Sequence, residues 1–84
     1  MITGQKTTTG AALLLLDNSG GHYKKLTVKA ETGNSGDMYI GNSNVNATSG
    51  YSLDAAQDVE IDVSTVDAVY IFGAASQTAT FVAV

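Results

Sequence analysis

From Lys25 to Ala30 the side chains alternate without a break: Leu26, Val28 and Ala30 would face one way, Lys25, Thr27 and Lys29 the other. The same alternation returns at Asp58–Val63, with Val59, Ile61 and Val63 on one side and Asp58, Glu60 and Asp62 on the other. A period of two is what a half-buried strand requires, and no stretch of the chain sustains a helical period. Two further runs are apolar at every position, Ala11–Leu16 and the centre of Asp67–Ala74, Ala68–Phe72. Six residues are too few for a convincing helix, and Asp17-Asn18-Ser19-Gly20-Gly21 stops the first run with strong turn chemistry. Both runs read as strands apolar on both faces, and so as central strands or strands covered by neighbouring subunits.

The remaining segments fit the same pattern. Met1–Thr9, with its Thr-Thr-Thr run, reads as an N-terminal arm or edge strand. Glu31–Gly36 is a turn, Met38–Ile40 a buried strand, and Asp54–Gln57 a brief turn of helix. Ser76-Gln77-Thr78 turns the chain into a final strand, Ala79–Val84. About seven to eight short antiparallel strands, spaced roughly 8–12 residues apart with turn signals between them, predict an all-β protein. The expected form is a small β-sandwich or jelly roll occupying residues 1–84 as a single domain. A small barrel is the other closed form of the pattern.

At 84 residues such a domain buries only about 60% of the surface that its unfolded chain exposes. The sequence has no cysteine and one histidine, His22, so a disulfide is impossible and a histidine-based metal centre would need several chains. Oligomerisation is the remaining common means of stabilising a small domain. Charged residues make up 14% of the chain, with four lysines, no arginine and a net charge of −4. Phosphate backbones and anionic membranes are captured by Lys and Arg, so neither nucleic acid nor a membrane is the expected partner. The longest apolar run, Gly10–Leu16, falls far short of the ~20 residues that span a bilayer. No basic segment leads into an apolar stretch with a small-residue cleavage site, so the expected compartment is the one where the chain is made.

Catalytic chemistry finds little footing. His22 follows Gly20-Gly21 in a tight turn, with no motif nearby to supply a nucleophile and an orienting carboxylate. Asp58, Glu60 and Asp62 could face a hard cation, but they lack the loop carbonyls that such sites use. They fit better as a solvated face paired with Lys25 and Lys29. The glycine-rich pieces open no helix and end in no Gly-Lys-Ser/Thr, so they are not phosphate cradles. Asn46-Ala47-Thr48 matches the glycosylation pattern without a secretory signal. The expectation is a protein that is not an enzyme and carries no cofactor or metal. Tyr23, Tyr39, Tyr51 and Tyr70, with Phe72 and Phe81, could stack sugars, but aromatics in a sandwich more often serve core and interface.

The stretch Met38–Leu53 is the most distinctive: Met-Tyr-Ile-Gly, a polar loop Asn-Ser-Asn-Val-Asn-Ala-Thr-Ser, then Gly-Tyr-Ser-Leu. Asn and Ser side chains bond their own backbone two residues on, which makes this a shaped loop. Tyr51 and Leu53, two residues apart, should share a face of the strand that follows.

From about Leu26 to Val84 this order resembles a pattern in small structural proteins of tailed bacteriophages. There an aromatic-Ile-Gly strand end leads through Ser/Asn-Asn-Val and a Thr-rich turn to Gly-Tyr-Pro-Leu. An acidic Val/Ile strand and an aromatic strand follow. The chain departs from it at Ser52, where proline is common, and the first 25 residues do not align. The resemblance implies a virion protein: a capsid cement or decoration protein, made in the host bacterial cytoplasm, that sits on the capsid surface as a homotrimer and stabilises the shell of major capsid protein. Related domains in tails and fibres make a carbohydrate-binding, host-adhesion role the alternative. The expected oligomer contacts are Leu14, Leu16, Tyr70, Ile71 and Phe72 from the two doubly apolar strands, with Phe81–Val84 as a further candidate segment. The expected capsid contacts are Asn42, Asn44 and Asn46 in the polar loop, or the N-terminal arm.

Overall fold

A computed structural model describes residues 1–34 and 36–84, and within them the chain forms eight strands. In chain order these are β1 (Ile2–Thr7), β2 (Leu13–Asp17), β3 (Lys25–Ala30), β4 (Met38–Gly41), β5 (Tyr51–Leu53), β6 (Asp58–Asp62), β7 (Ala68–Gly73) and β8 (Thr78–Ala83). They make two four-stranded sheets, a front sheet ordered β1-β8-β3-β6 and a back sheet ordered β2-β7-β4-β5, and every pairing is antiparallel. The pairs β1·β8, β2·β7, β3·β6 and β4·β5 are nested, as in one long hairpin. Rolling that hairpin brings β8 onto β3 and β7 onto β4. Eight strands wound this way into a two-sheet sandwich are a jelly roll.

The two alternating segments behave as their period requires. Leu26, Val28 and Ala30 are fully buried while Lys25 and Lys29 are exposed. Across the core, the back sheet contributes Met38, Ile40, Leu53, Val69 and Ile71. Small residues sit where neighbours are large: Ala83 lies beside Leu26 on the front sheet, and Gly73 beside Met38 on the back one. Burying a side chain such as Ile71 completely stabilises the fold by roughly 1.5–3 kcal/mol.

Of the two doubly apolar strands, one is central as expected and the other is not. The first begins at Leu13 and lies at a sheet edge, and its Leu14 points outward, 41% exposed. Leu15 is an extra residue in the pairing with β7, and that bulge lets Leu15 and Leu16 both reach the core. The bulge accounts for Leu15 and Leu16 both turning inward, and Leu14 is left on the outer face. The second, β7, is central; Val69, Ile71 and Gly73 face the core, and Ala68, Tyr70 and Phe72 the half-exposed outer side.

Asp54–Gln57 is a β-turn and not helical. The Gln57 N–H donates to the Asp54 carbonyl at 3.0 Å, and Ala56 adopts φ 70°. In the turn expected at Glu31–Gly36, the Asn34 N–H donates to the Glu31 carbonyl at 3.2 Å; Ser35 lies outside the described residues. The Asn34 amide then grips both backbone groups of Thr78, at 2.9 and 3.0 Å. The N-terminal segment is an edge strand, paired along its length with β8.

A buried polar hub holds one end of the sandwich. Asn18, 2% exposed, donates from Nδ2 to the carbonyls of Val63 (2.8 Å), Tyr23 (3.0 Å) and Val66 (3.2 Å), and its Oδ1 accepts the Tyr23 N–H at 3.0 Å. A single amide thus joins the β2–β3 and β6–β7 connections.

Candidate functional site

The outer faces of the two sheets differ in chemistry. On the front sheet, the register places Thr3, Gln5, Thr7, Thr78, Thr80, Thr27, Lys25 and Lys29 together with Asp58, Glu60 and Asp62, with Val82 as an apolar member between Thr3 and Thr27. The Lys25 Nζ lies 3.5 Å from the Glu60 Oε1, a cross-strand pair at an exposed site. The Ser64 N–H bonds the Asp62 carboxylate at 2.9 Å and, with Lys25 and Lys24 nearby, holds it below the usual aspartate range. Among the described residues no group of three His, Cys, Asp or Glu side chains is placed to hold a metal ion. His22 is an exposed turn residue whose ring lies over Gly20.

The back sheet presents an apolar outer face. Leu14 pairs with Tyr70 and Tyr70 with Gly41, while Phe72 pairs with Tyr39 and Tyr39 with Ser52. The Tyr39 and Phe72 rings lie 6.3 Å apart, tilted by 48°, within the range of favourable aromatic pairs. Of the five residues expected at an oligomer interface, Leu14, Tyr70 and Phe72 share this face. Leu16 and Ile71 point into the core, at 4% and 0% exposure, and so cannot join it there. Alternation within β7 and the bulge in β2 divide the five.

The polar loop begins where this face ends. Asn42 Oδ1 accepts the Asn44 N–H at 2.9 Å, and the Asn42 carbonyl accepts the Val45 N–H at 3.0 Å. Asn46 Oδ1 accepts the N–H groups of Thr48 (2.8 Å) and Ser49 (3.0 Å) and the Thr48 hydroxyl (2.8 Å). Asn42 and Asn46 therefore shape the loop, while the side chain of Asn44, between the two turns, is exposed. Val45 anchors the loop at 4% exposure. A Cβ on Gly50 would fall 2.7 Å from Val45 Cγ2 and 2.6 Å from Tyr39 Cβ, so only glycine fits beneath it. Val45 is absent from the sequence-based site, and Tyr39 enters there only as a possible sugar-stacking aromatic; the signal for Val45 is its standing as a lone branched apolar residue in a polar run.

Beside the loop, between the sheet edges β5 and β6, opens an apolar cleft of about 400 Å³ lined by Ile40, Tyr51, Val59, Ile61, Val66 and Val69 among others. Tyr51 shares the inward face of β5 with Leu53, as its spacing predicts. Leu53 is buried, whereas Tyr51 sits at the cleft mouth, 63% exposed. Tyr23 and Phe81 pack against the core, so the aromatics form no single platform. Against known proteins, no family model matches this chain, and neither a curated protein nor a solved structure matches it.

Proposed function

We propose that the chain is a structural protein of a tailed-phage virion, a cement or decoration protein that binds the outside of the major capsid protein shell as a homotrimer. The observation that carries this reading is the outer face of the back sheet, where Leu14, Tyr39, Tyr70 and Phe72 lie side by side on a domain whose other outer face is largely polar. Aromatic side chains with few charges among them are the composition of protein-contact cores. The jelly-roll body is an architecture used by viral capsid and lectin domains, and the resemblance over Leu26–Val84 agrees with it. In this reading the aromatic face makes the contact between protomers, and the Asn42–Gly50 loop at its end lies on the shell. Many modest contacts repeated over the particle give avidity without a single strong site.

Quantitative mass spectrometry of purified particles tests this directly. The proposal expects a copy number comparable to that of the major capsid protein; absence from particles overturns it. A second reading, a carbohydrate-binding component of a tail or fibre, is favoured by Tyr51, whose ring stands exposed at the mouth of the apolar cleft. That reading expects a few copies per particle and glycan binding that is lost in Tyr51→Ala.

A further inference from the structure

Among the described residues, the sheets end in four edge strands: β1 and β6 in front, β2 and β5 behind. An exposed edge offers unpaired N–H and C=O groups to any passing strand, and proteins blunt it by shortness, bulges or charge. β5 has only three residues, and β2 is bulged at Leu15. The other two edges are told apart by which backbone groups they leave open.

Lys25 and Val84 exchange both backbone bonds, at 3.1 and 2.9 Å. Bonded pairs alternate with unbonded ones in an antiparallel ladder, so Thr27–Val82 and Lys29–Thr80 are the next bonded pairs between β3 and β8. The intervening residues Ala83, Phe81 and Ala79 turn their backbone groups to β1, where they meet Ile2, Gly4 and Lys6. What remains open on β1 is the backbone of Thr3, Gln5 and Thr7. On the opposite edge, the Ala30 N–H donates to the Gln57 carbonyl at 2.9 Å. The same alternation then leaves open the backbone of Asp58, Glu60 and Asp62. Three carboxylates guard β6. The open row of β1 carries no charge, and at six residues β1 is the longest edge.

We infer that β1 is a self-pairing edge, joining β1 of a second copy antiparallel about a two-fold axis through Gln5. In that register Gln5 faces Gln5 of the second copy, and Thr3 faces Thr7. Every open backbone group of the row finds a partner, since each such pair exchanges two bonds. Sliding to the neighbouring bonded register leaves part of the row unpaired. Lys6 falls opposite Gly4 of the second copy, so no like charges meet across the seam. The Phe81 ring packs over Gly4, at 3.0 Å from where a Cβ would stand, and stiffens the weakest point of the strand. The result is one continuous sheet across two copies. This contact uses none of the residues of the back-sheet face, and stands or falls independently of shell binding.

Because the chain has no native cysteine, directed cross-linking tests the register. Gln5→Cys places two thiols in a bonded pair with Cα atoms about 5.5 Å apart, within disulfide reach. Under mild oxidation it should accumulate as a covalent dimer. Thr3→Cys, whose two copies lie roughly 14 Å apart along the strands, should not, but should cross-link when mixed with Thr7→Cys. Equal cross-linking of Gln5→Cys and Thr3→Cys, or none in either, overturns the inference. Gln5→Pro removes an N–H that bonds nothing within the chain. Placed in a Leu14→Asp chain, which removes the back-sheet contact, it should keep the β-sheet circular dichroism and abolish the remaining concentration-dependent dimerisation in sedimentation equilibrium. Dimerisation unchanged by Gln5→Pro, or a Leu14→Asp chain monomeric at every concentration, also overturns it.

Discussion

Thr8 occupies the space that a Cβ on Gly73 would need: its Oγ1 and Cγ2 lie 3.1 and 3.2 Å from that position. Thr8 is 1% exposed. Its hydroxyl bonds the Ala74 carbonyl and accepts the Gln77 N–H at 3.2 Å, while its own N–H donates to the Gln77 carbonyl at 2.8 Å. The residue after β1 is thereby locked into the β7–β8 turn. Gly73→Ala should cost about 1–3 kcal/mol by overpacking. Thr8→Ser, which removes the methyl and keeps the hydroxyl, should recover part of that cost. A double-mutant cycle from urea denaturation measures the coupling; strictly additive effects would show that the contact is not felt.

Asn18→Ala leaves the Val63 and Tyr23 carbonyls and the Tyr23 N–H without their side-chain partner inside the fold. The expected loss is about 2–3 kcal/mol, read as a lower urea midpoint at unchanged slope. A loss under about 0.5 kcal/mol would mean that Asn18 is replaceable.

Leu14→Asp and Ile71→Asp separate surface from core. Leu14 is 41% exposed and Ile71 fully buried. The first variant should fold with a stability change within about 0.5 kcal/mol and lose self-association through the back sheet. The second places a charge in the core and should not fold. Sedimentation velocity with circular dichroism reads both; trimers of Leu14→Asp equal to wild type would remove the aromatic face from the assembly.

Ala56 holds φ 70° in the β5–β6 turn, a conformation that favours glycine. Ala56→Gly relieves the left-handed strain but loosens the unfolded chain, and should raise stability by roughly 0.5–1 kcal/mol. A lower thermal midpoint would contradict this.

Acid should act in two directions. The hydrogen bond with Asp54, at the facing ends of β4 and β5, holds the Asp37 carboxyl above the usual aspartate range, with partial desolvation and the Asp54 charge adding to it. Its folded form keeps a proton more readily than its unfolded form, so its contribution grows as pH falls and is lost as pH rises through the folded value. Asp17 and Asp62 lie below the usual range because the Ser19 and Ser64 N–H groups bond their carboxylates. Their contribution is present above the ordinary value of 3.8 and is lost as pH falls through the folded values. Asp37→Asn should therefore gain on wild type near pH 7 and lose that advantage towards about pH 3. Urea midpoints at the two pH values check this, and a constant difference would contradict it.

The sequence alone shows that the chain is all-β and which residues of β3 and β6 face inward, because a period of two is local information, while it leaves sandwich and barrel both open. It also marked Met38–Leu53 as a strand, a shaped loop and a strand, since Asn, Ser and Gly act on their own backbone. The rest came from how the strands pair and stack. A bulge is a property of pairing, and the extra residue at Leu15 turned Leu16 inward and Leu14 outward within a run of four leucines. Ile71 and its neighbours Tyr70 and Phe72 parted because a central strand must serve two faces. Asn18 and Thr8 gained their roles from partners distant in the chain, Val63 and Gly73, and no local pattern records such a partner; Val45 instead packs within its own loop, against Gly41 and Gly50. The aromatic face and the open row of β1 are likewise products of strand order, which emerges only when the hairpin rolls.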